Sequence, residues 1–110
     1  MRRAAKTDES HGRIRDHLRA IGWRVYDSSA FGGGFPDLVC ARGGYTALVE
    51  CKSGSEAGAE MELNEAQRRF RDGWPGAFVV AATPEQAERE LAAWYLGFRL
   101  EMLAKDEVAD

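Results

Sequence analysis

Gly34-Phe35-Pro36-Asp37 and, thirteen residues after that aspartate, Glu50-Cys51-Lys52 bracket two short apolar runs, Leu38-Val39-Cys40-Ala41 and Tyr45-Thr46-Ala47-Leu48-Val49. Both runs are rich in β-formers, and Arg42-Gly43-Gly44 separates them. Two such runs around a glycine turn are the pattern of an antiparallel hairpin. Side chains alternate along a strand, so Glu50 and Lys52 share one face, roughly 7 Å apart. Asp37 stands at the start of the first strand and Glu50 at the end of the second, so antiparallel pairing sets Asp37 beside Glu50 and Lys52. Charges on otherwise apolar strands are costly unless they are paired or hold a cation. A strand-end salt bridge and a catalytic site both answer that pattern.

Upstream of the hairpin, Asp8 or Ser10 can cap a helix. Ile14, Leu18 and Ile21 recur at helical spacing, with His11, Arg15 and Arg19 expected on other faces. Gly22 ends that helix as its C′ residue, and Trp23-Arg24-Val25-Tyr26 reads as a first strand. Asp27 to Gly34 reads as a loop made mobile by three consecutive glycines. Downstream, the polar segment Ser53 to Glu62 reads as a second flexible loop. Asn64 caps a helix through Gly73, with Ala66, Phe70 and Trp74 facing the core. Ala77 to Ala82 is unbroken in its apolarity, as a fully buried strand is. Thr83-Pro84-Glu85-Gln86 opens a last helix with a capping Thr, Pro at the first helical position and an acid in the first turn. That helix is expected to reach about Leu96, with a break at Gly97 before Phe98 to Leu103. The order α-β-β-β-α-β-α makes an α/β fold: an antiparallel meander, a crossover helix, a last strand parallel to its neighbour, and helices on both sides of a mixed sheet.

A chain of 110 residues suits one domain. We expect it to span 8–96, after a frayed basic segment 1–7 and before a C-terminal extension 97–110 whose tail, with Glu101, Asp106, Glu107 and Asp110, is acidic. No apolar run approaches the ~18 residues of a membrane span, and no signal-peptide pattern opens the chain. Cys40 and Cys51 fall on strand faces opposite Asp37 and Glu50, which reads as reduced core cysteines and a cytoplasmic setting. The net charge of −3 argues against a simple basic nucleic-acid binder. Its distribution is uneven, however, with Arg2, Arg3, Lys6, Arg13, Arg15, Arg19 and Arg24 in the first quarter. Nothing in the sequence reads bases: there is no zinc-finger spacing, recognition helix or aromatic stacking set.

Pro36-Asp37, a hairpin and then Glu50-Cys51-Lys52 resemble the signature of the PD-(D/E)xK nuclease superfamily. The nearer likeness is to its small stand-alone virus-type replication-repair branch (VRR-NUC), which is similar to the Holliday-junction resolvases. A helix before the motif, the glycine-rich loop just ahead of it and Leu63-Asn64-Glu65-Ala66-Gln67 after it extend the likeness over about residues 8–83. The branch carries a Leu-Thr-Pro-x-Gln stretch there; Leu63 and Gln67 match it, and Asn64-Glu65 replace Thr-Pro.

The resemblance implies a restriction-endonuclease-like core and a Mg²⁺- or Mn²⁺-dependent endonuclease acting on DNA, selective for structure (junction, flap or nick) rather than sequence. It implies Asp37, Glu50 and the backbone carbonyl of Cys51 as metal ligands, Lys52 as the residue that orients the attacking water or stabilises charge, and Gln67 near the site. The first helix of such nucleases contributes a further ligand; the matching position holds His11, with Asp8 and Glu9 up to a turn earlier. Arg13, Gly33 and Gly34 are the expected DNA contacts. A repair or recombination role, in a cell or encoded by a phage, goes with that branch. A non-catalytic domain that binds nucleic acid or a protein remains the alternative, distinguished by its failure to bind Mg²⁺ or Mn²⁺. Trp94, Tyr95, Leu96, Phe98, Leu100, Met102 and Leu103 crowd into ten residues, which leads us to expect a homodimer or a higher even-numbered assembly.

Overall fold

A computed structural model describes residues 9–109, the last three by their backbone alone. The basic segment 1–7, the Asp8 cap and the acidic residues Glu107 and Asp110 lie outside the residues or side chains described. The elements are α1 (Glu9–Ala20), β1 (Arg24–Asp27), β2 (Leu38–Arg42), β3 (Tyr45–Cys51), α2 (Glu65–Gly73), β4 (Ala77–Ala81) and α3 (Pro84–Ala109), with a short 3₁₀ helix over Ala59–Glu62. The strands lie in the order β1-β2-β3-β4. The first three pair antiparallel and β4 joins β3 in parallel. This is a small α/β fold with a four-stranded mixed sheet flanked by helices.

Alternation along the strands sorts the side chains. Leu38, Cys40, Ala47, Val49, Cys51, Ala77, Val79 and Ala81 face one way and meet Ile14 and Leu18 of α1 and Ala87 and Leu91 of α3. Each such fully buried Leu or Ile contributes about 1.5–3 kcal/mol over leaving it in water. The cysteines are both buried, and burial pushes the Cys40 thiol up to about 12. On the opposite face Val80 and Ala82 pack with Ala59, Leu63 and Phe78.

Helix ends follow their local chemistry. Gly22, at φ +106°, closes α1, with the Trp23 amide donating to the Leu18 carbonyl and the Gly22 amide to that of Arg19, a Schellman motif. Asn64 and Gln67 form a reciprocal capping box at α2. The Thr83 hydroxyl accepts from the Gln86 amide at the start of α3.

Several expectations need correction. His11 shares the buried stripe of α1 with Ile14 and Leu18, because positions three and seven apart lie on one face. Ser10 is no cap; it lies inside α1 and its Oγ donates to the Lys52 carbonyl at 2.7 Å. Asp27 belongs to β1 rather than to the loop. The loop after it is pinned by buried Ser28, whose amide donates to the Asp37 carbonyl and whose Oγ donates to that of Pro36, each at 2.8 Å. Residues 53–62 are likewise anchored: Glu56 accepts from Thr83 Oγ1 and Arg89, and Ala59 is buried. On α2, Ala66 and Trp74 are exposed and Phe70 is half-buried. Gly97 does not break α3, so the expected 96/97 boundary falls inside one helix. None of the described helices is long and apolar enough to cross a membrane.

Candidate active site

The β2–β3 register pairs Leu38 with Val49, so the next residue along, Asp37, stands opposite Glu50. Asp37 Oδ2 accepts from the Cys51 amide at 2.9 Å, which fixes its carboxylate against the end of β3. Glu50 is only 3% exposed. Its Oε2 accepts from Gln67 Nε2 at 3.0 Å and lies 3.6 Å from Lys52 Nζ. Lys52 Nζ donates in turn to Gln67 Oε1 at 3.0 Å. Gln67 thus uses both ends of its carboxamide on the two charged groups. Its orientation is set from behind, since Oε1 also accepts from the Asn64 amide at 2.9 Å as part of the capping box.

The electrostatics go beyond a salt bridge. Burial, then the neighbouring Asp37 charge, push the Glu50 carboxyl up to about 8, against the pull of Lys52. Burial also raises Asp37, opposed by the Cys51 amide, His11 and Lys52. Two desolvated carboxyls beside one ammonium cannot both ionise comfortably, so the pair retains a proton near neutrality. Clustered hard oxygen donors short of positive charge are the chemistry of a Mg²⁺ or Mn²⁺ site, where one or two carboxylates suffice and water completes the shell. Among the described residues no three His, Cys, Asp or Glu side chains form a metal cage, so a cation here would rest on this carboxylate pair, backbone and water.

The start of α1 lies against the end of β3, where Ser10 Oγ donates to the Lys52 carbonyl. His11 is buried, with Nε2 3.3 Å from Asp27 Oδ2 but without a hydrogen bond among the described residues. Burial works against the Asp27 charge, yet the Ser29 hydroxyl and amide, His11 and Arg15 together hold this carboxyl below its ordinary value. Glu9 and Arg13 are exposed on α1. Gly33 has open space where a side chain would be, and its φ of +65° accounts for the glycine. Gly34 is required for another reason: a Cβ there would stand 2.6 Å from the Ala66 carbonyl oxygen of α2. The close approach at Gly34 is therefore to this chain's own helix. Arg69 and Arg71 pair with Glu65 and Glu60, as a solvated helix face would.

Sequence reasoning missed Asp27 and the Ser10 contact. The register Asp27↔Leu38 places Asp27 one strand away from the site, a position that β1's true end would have revealed. No family model, curated protein or solved structure matches the chain.

Proposed function

We propose that this chain is a metal-dependent DNA endonuclease of the PD-(D/E)xK type, with a restriction-endonuclease-like core and nearest to the VRR-NUC branch. The observation that carries the reading is the convergence of Asp37, Glu50 and Lys52, locked by the two-ended Gln67 contact. A structural ion pair needs one carboxylate and one amine. It does not need a second, half-buried carboxylate whose charge adds to burial in pushing Glu50 up to about 8. The order α-β-β-β-α-β and the mixed sheet support the same reading.

Asp37 and Glu50, with the Cys51 carbonyl, would hold Mg²⁺ or Mn²⁺. Such an ion acidifies bound water and neutralises phosphate oxygens. On holding such a cation, Glu50 and Asp37 would give up their retained proton. Lys52, aimed by Gln67, is placed to orient the attacking water or to offset charge at the phosphate. His11 stands near enough to bias Asp37 towards the ionised form that a ligand requires. DNA is the proposed substrate, and a homodimer the proposed working form.

The test is cleavage of duplex, flap, junction and single-stranded DNA by purified protein with and without Mn²⁺. We expect cleavage that needs the ion and falls at least about a hundredfold in Asp37→Ala and in Glu50→Ala. Undiminished cleavage in both variants would overturn the assignment. DNA binding without cleavage or Mn²⁺ uptake would make the domain a non-catalytic module.

A further inference from the structure

Five aromatic side chains distant in sequence form a continuous row across one side of the molecule. Ring centroids are 6.3 Å apart for Tyr26–Phe31, 5.3 Å for Phe31–Phe35, 5.3 Å for Phe35–Phe70 and 5.9 Å for Phe70–Trp74. The inner rings have a structural use. Phe35 and Phe70 are half-buried and fasten the glycine loop to α2. The outer end has no such use: Tyr26 is 60% exposed and Phe31 63%. Large exposed rings at a protein surface mark contact with something else.

The surroundings of that end indicate what it contacts. A groove of about 630 Å³ runs beside Tyr26, floored by Val39 and Ala41 and edged by Arg19 and Arg24. The Arg19 guanidinium is held there by the Val25 carbonyl at 2.9 Å. Among the described residues no acidic side chain lines the groove. Two guanidinium groups, an apolar floor and a ring edge make a complementary surface for an anionic chain that carries flat bases. The groove also leads to the carboxylates. Ala41, Val39 and Asp37 alternate along the same face of β2, so Val39 lies roughly 7 Å from Asp37. Phe35, in the ring row, is two residues from Asp37.

We propose that the Arg19–Arg24 groove, with Tyr26 and Phe31, binds an unpaired nucleic-acid strand and leads it to Asp37 and Glu50. The role of the carboxylates here rests on the nuclease reading. Unpaired bases offer open faces for Tyr26 and Phe31, whereas a duplex keeps its bases stacked inside and presents phosphates. A chain with a net charge of −3 has little general attraction for a polyanion, so stacking carries more of the binding. Flaps and opened junctions supply such strands.

Fluorescence anisotropy in EDTA tests this, with labelled oligo-dU, oligo-U and a duplex as probes. We expect oligo-dU or oligo-U to bind at least about tenfold more tightly than duplex, the preference between them assigning the sugar. Tyr26→Ala and Phe31→Ala should each weaken single-strand binding roughly tenfold with unchanged thermal melting. Two phosphate contacts predict a shallow salt slope of about −1.4 in log K against log salt. Equal binding of duplex, or ring variants that bind like the parent, would overturn the proposal. Ring-dependent binding with no cleavage of any substrate would uphold the groove and reject the nuclease. Cleavage indifferent to both rings would do the reverse.

Discussion

Behind the Asp37–Glu50 pair, one carboxamide meets two opposite charges, and only one orientation of it serves both. Gln67 donates to Glu50 and accepts from Lys52, and the capping box prevents the flipped arrangement. Gln67→Ala removes that orientation without touching substrate or core volume. In the proposed nuclease it should lower kcat by about 10- to 100-fold with little change in KM, and shift the pH–rate profile, since Glu50 loses a donor to its ionised form. An unchanged pH profile would reduce Gln67 to a cap. The carboxyl pair gives a second expectation, for metal-free protein. Glu50 titrates at about 8 when folded and near 4.5 when exposed, so the native state keeps a proton that the unfolded chain has released. The resulting stability is fully present below the unfolded value and is lost as pH rises through the folded one. Melting in EDTA should therefore fall between about pH 5 and 8, by an amount on the order of a few kcal/mol, and Glu50→Gln should flatten the trend. Mn²⁺ should raise the melting temperature more at pH 8 than at pH 6, because at the lower pH it must displace the proton. A flat EDTA profile in the parent protein would contradict this account.

At the scale of elements, the site is held by a contact between loop and helix. Gly34, at φ +85°, touches the Ala66 carbonyl and sets the distance between the loop that delivers Asp37 and the helix that delivers Gln67. Gly34→Ala adds both a left-handed strain and a clash with backbone, each costing on the order of 1–3 kcal/mol. It should lower the melting temperature by several degrees and impair the site, whereas Gly44→Ala, with open space, bears only the strain. Equal melting of the two variants would refute the contact's role. What the sequence made legible here was local. Period-two alternation and the Gly43-Gly44 turn set the hairpin register that joins Asp37 to Glu50, and Asn64 marked α2 and so placed Gln67. What stayed hidden was tertiary. The Glu56 clamp makes an ordered segment of a polar stretch only when Thr83 and Arg89 are brought beside it. The aromatic row joins positions 26, 31, 35, 70 and 74 and has no sequence period. The polarity of His11 argues for a solvent-facing position, whereas its spacing from Ile14 and Leu18 puts it on their buried stripe.

The whole molecule is long for its mass, 60 Å by 29 Å by 29 Å. The 26 residues of α3 give a rod of about 39 Å. Its first turns pack through Ala87 and Leu91, but residues 99–106 are all exposed. A Gly inside a helix costs only about 1 kcal/mol, and the helix-forming residues around Gly97 outweigh that. They do not explain the side chains that follow. Leu96 is 59% exposed, Leu100 56% and Leu103 57%, at spacings of four and three, the d-a-d repeat of a coiled-coil seam. Trp94 and Met102 are exposed too, on other faces of the helix. Such a stripe on a polar helix would be a liability in a monomer. In a two-fold pair it would be buried against its own copy, an isologous contact that would also set the two proposed sites in fixed relation. A stable contact needs roughly 800 Å² from each partner, which three leucines alone fall short of and which the exposed Ala92 and Arg99, on the same side of the helix, can extend. We therefore expect light scattering at micromolar concentration to give twice the 12.2 kDa of the chain, or a higher even multiple. Leu96→Glu with Leu100→Glu should give a monomer that keeps its fold, because both side chains lie outside the core. A parent protein that scatters as a monomer would defeat the proposal. A double variant that stays dimeric would move the interface to another surface.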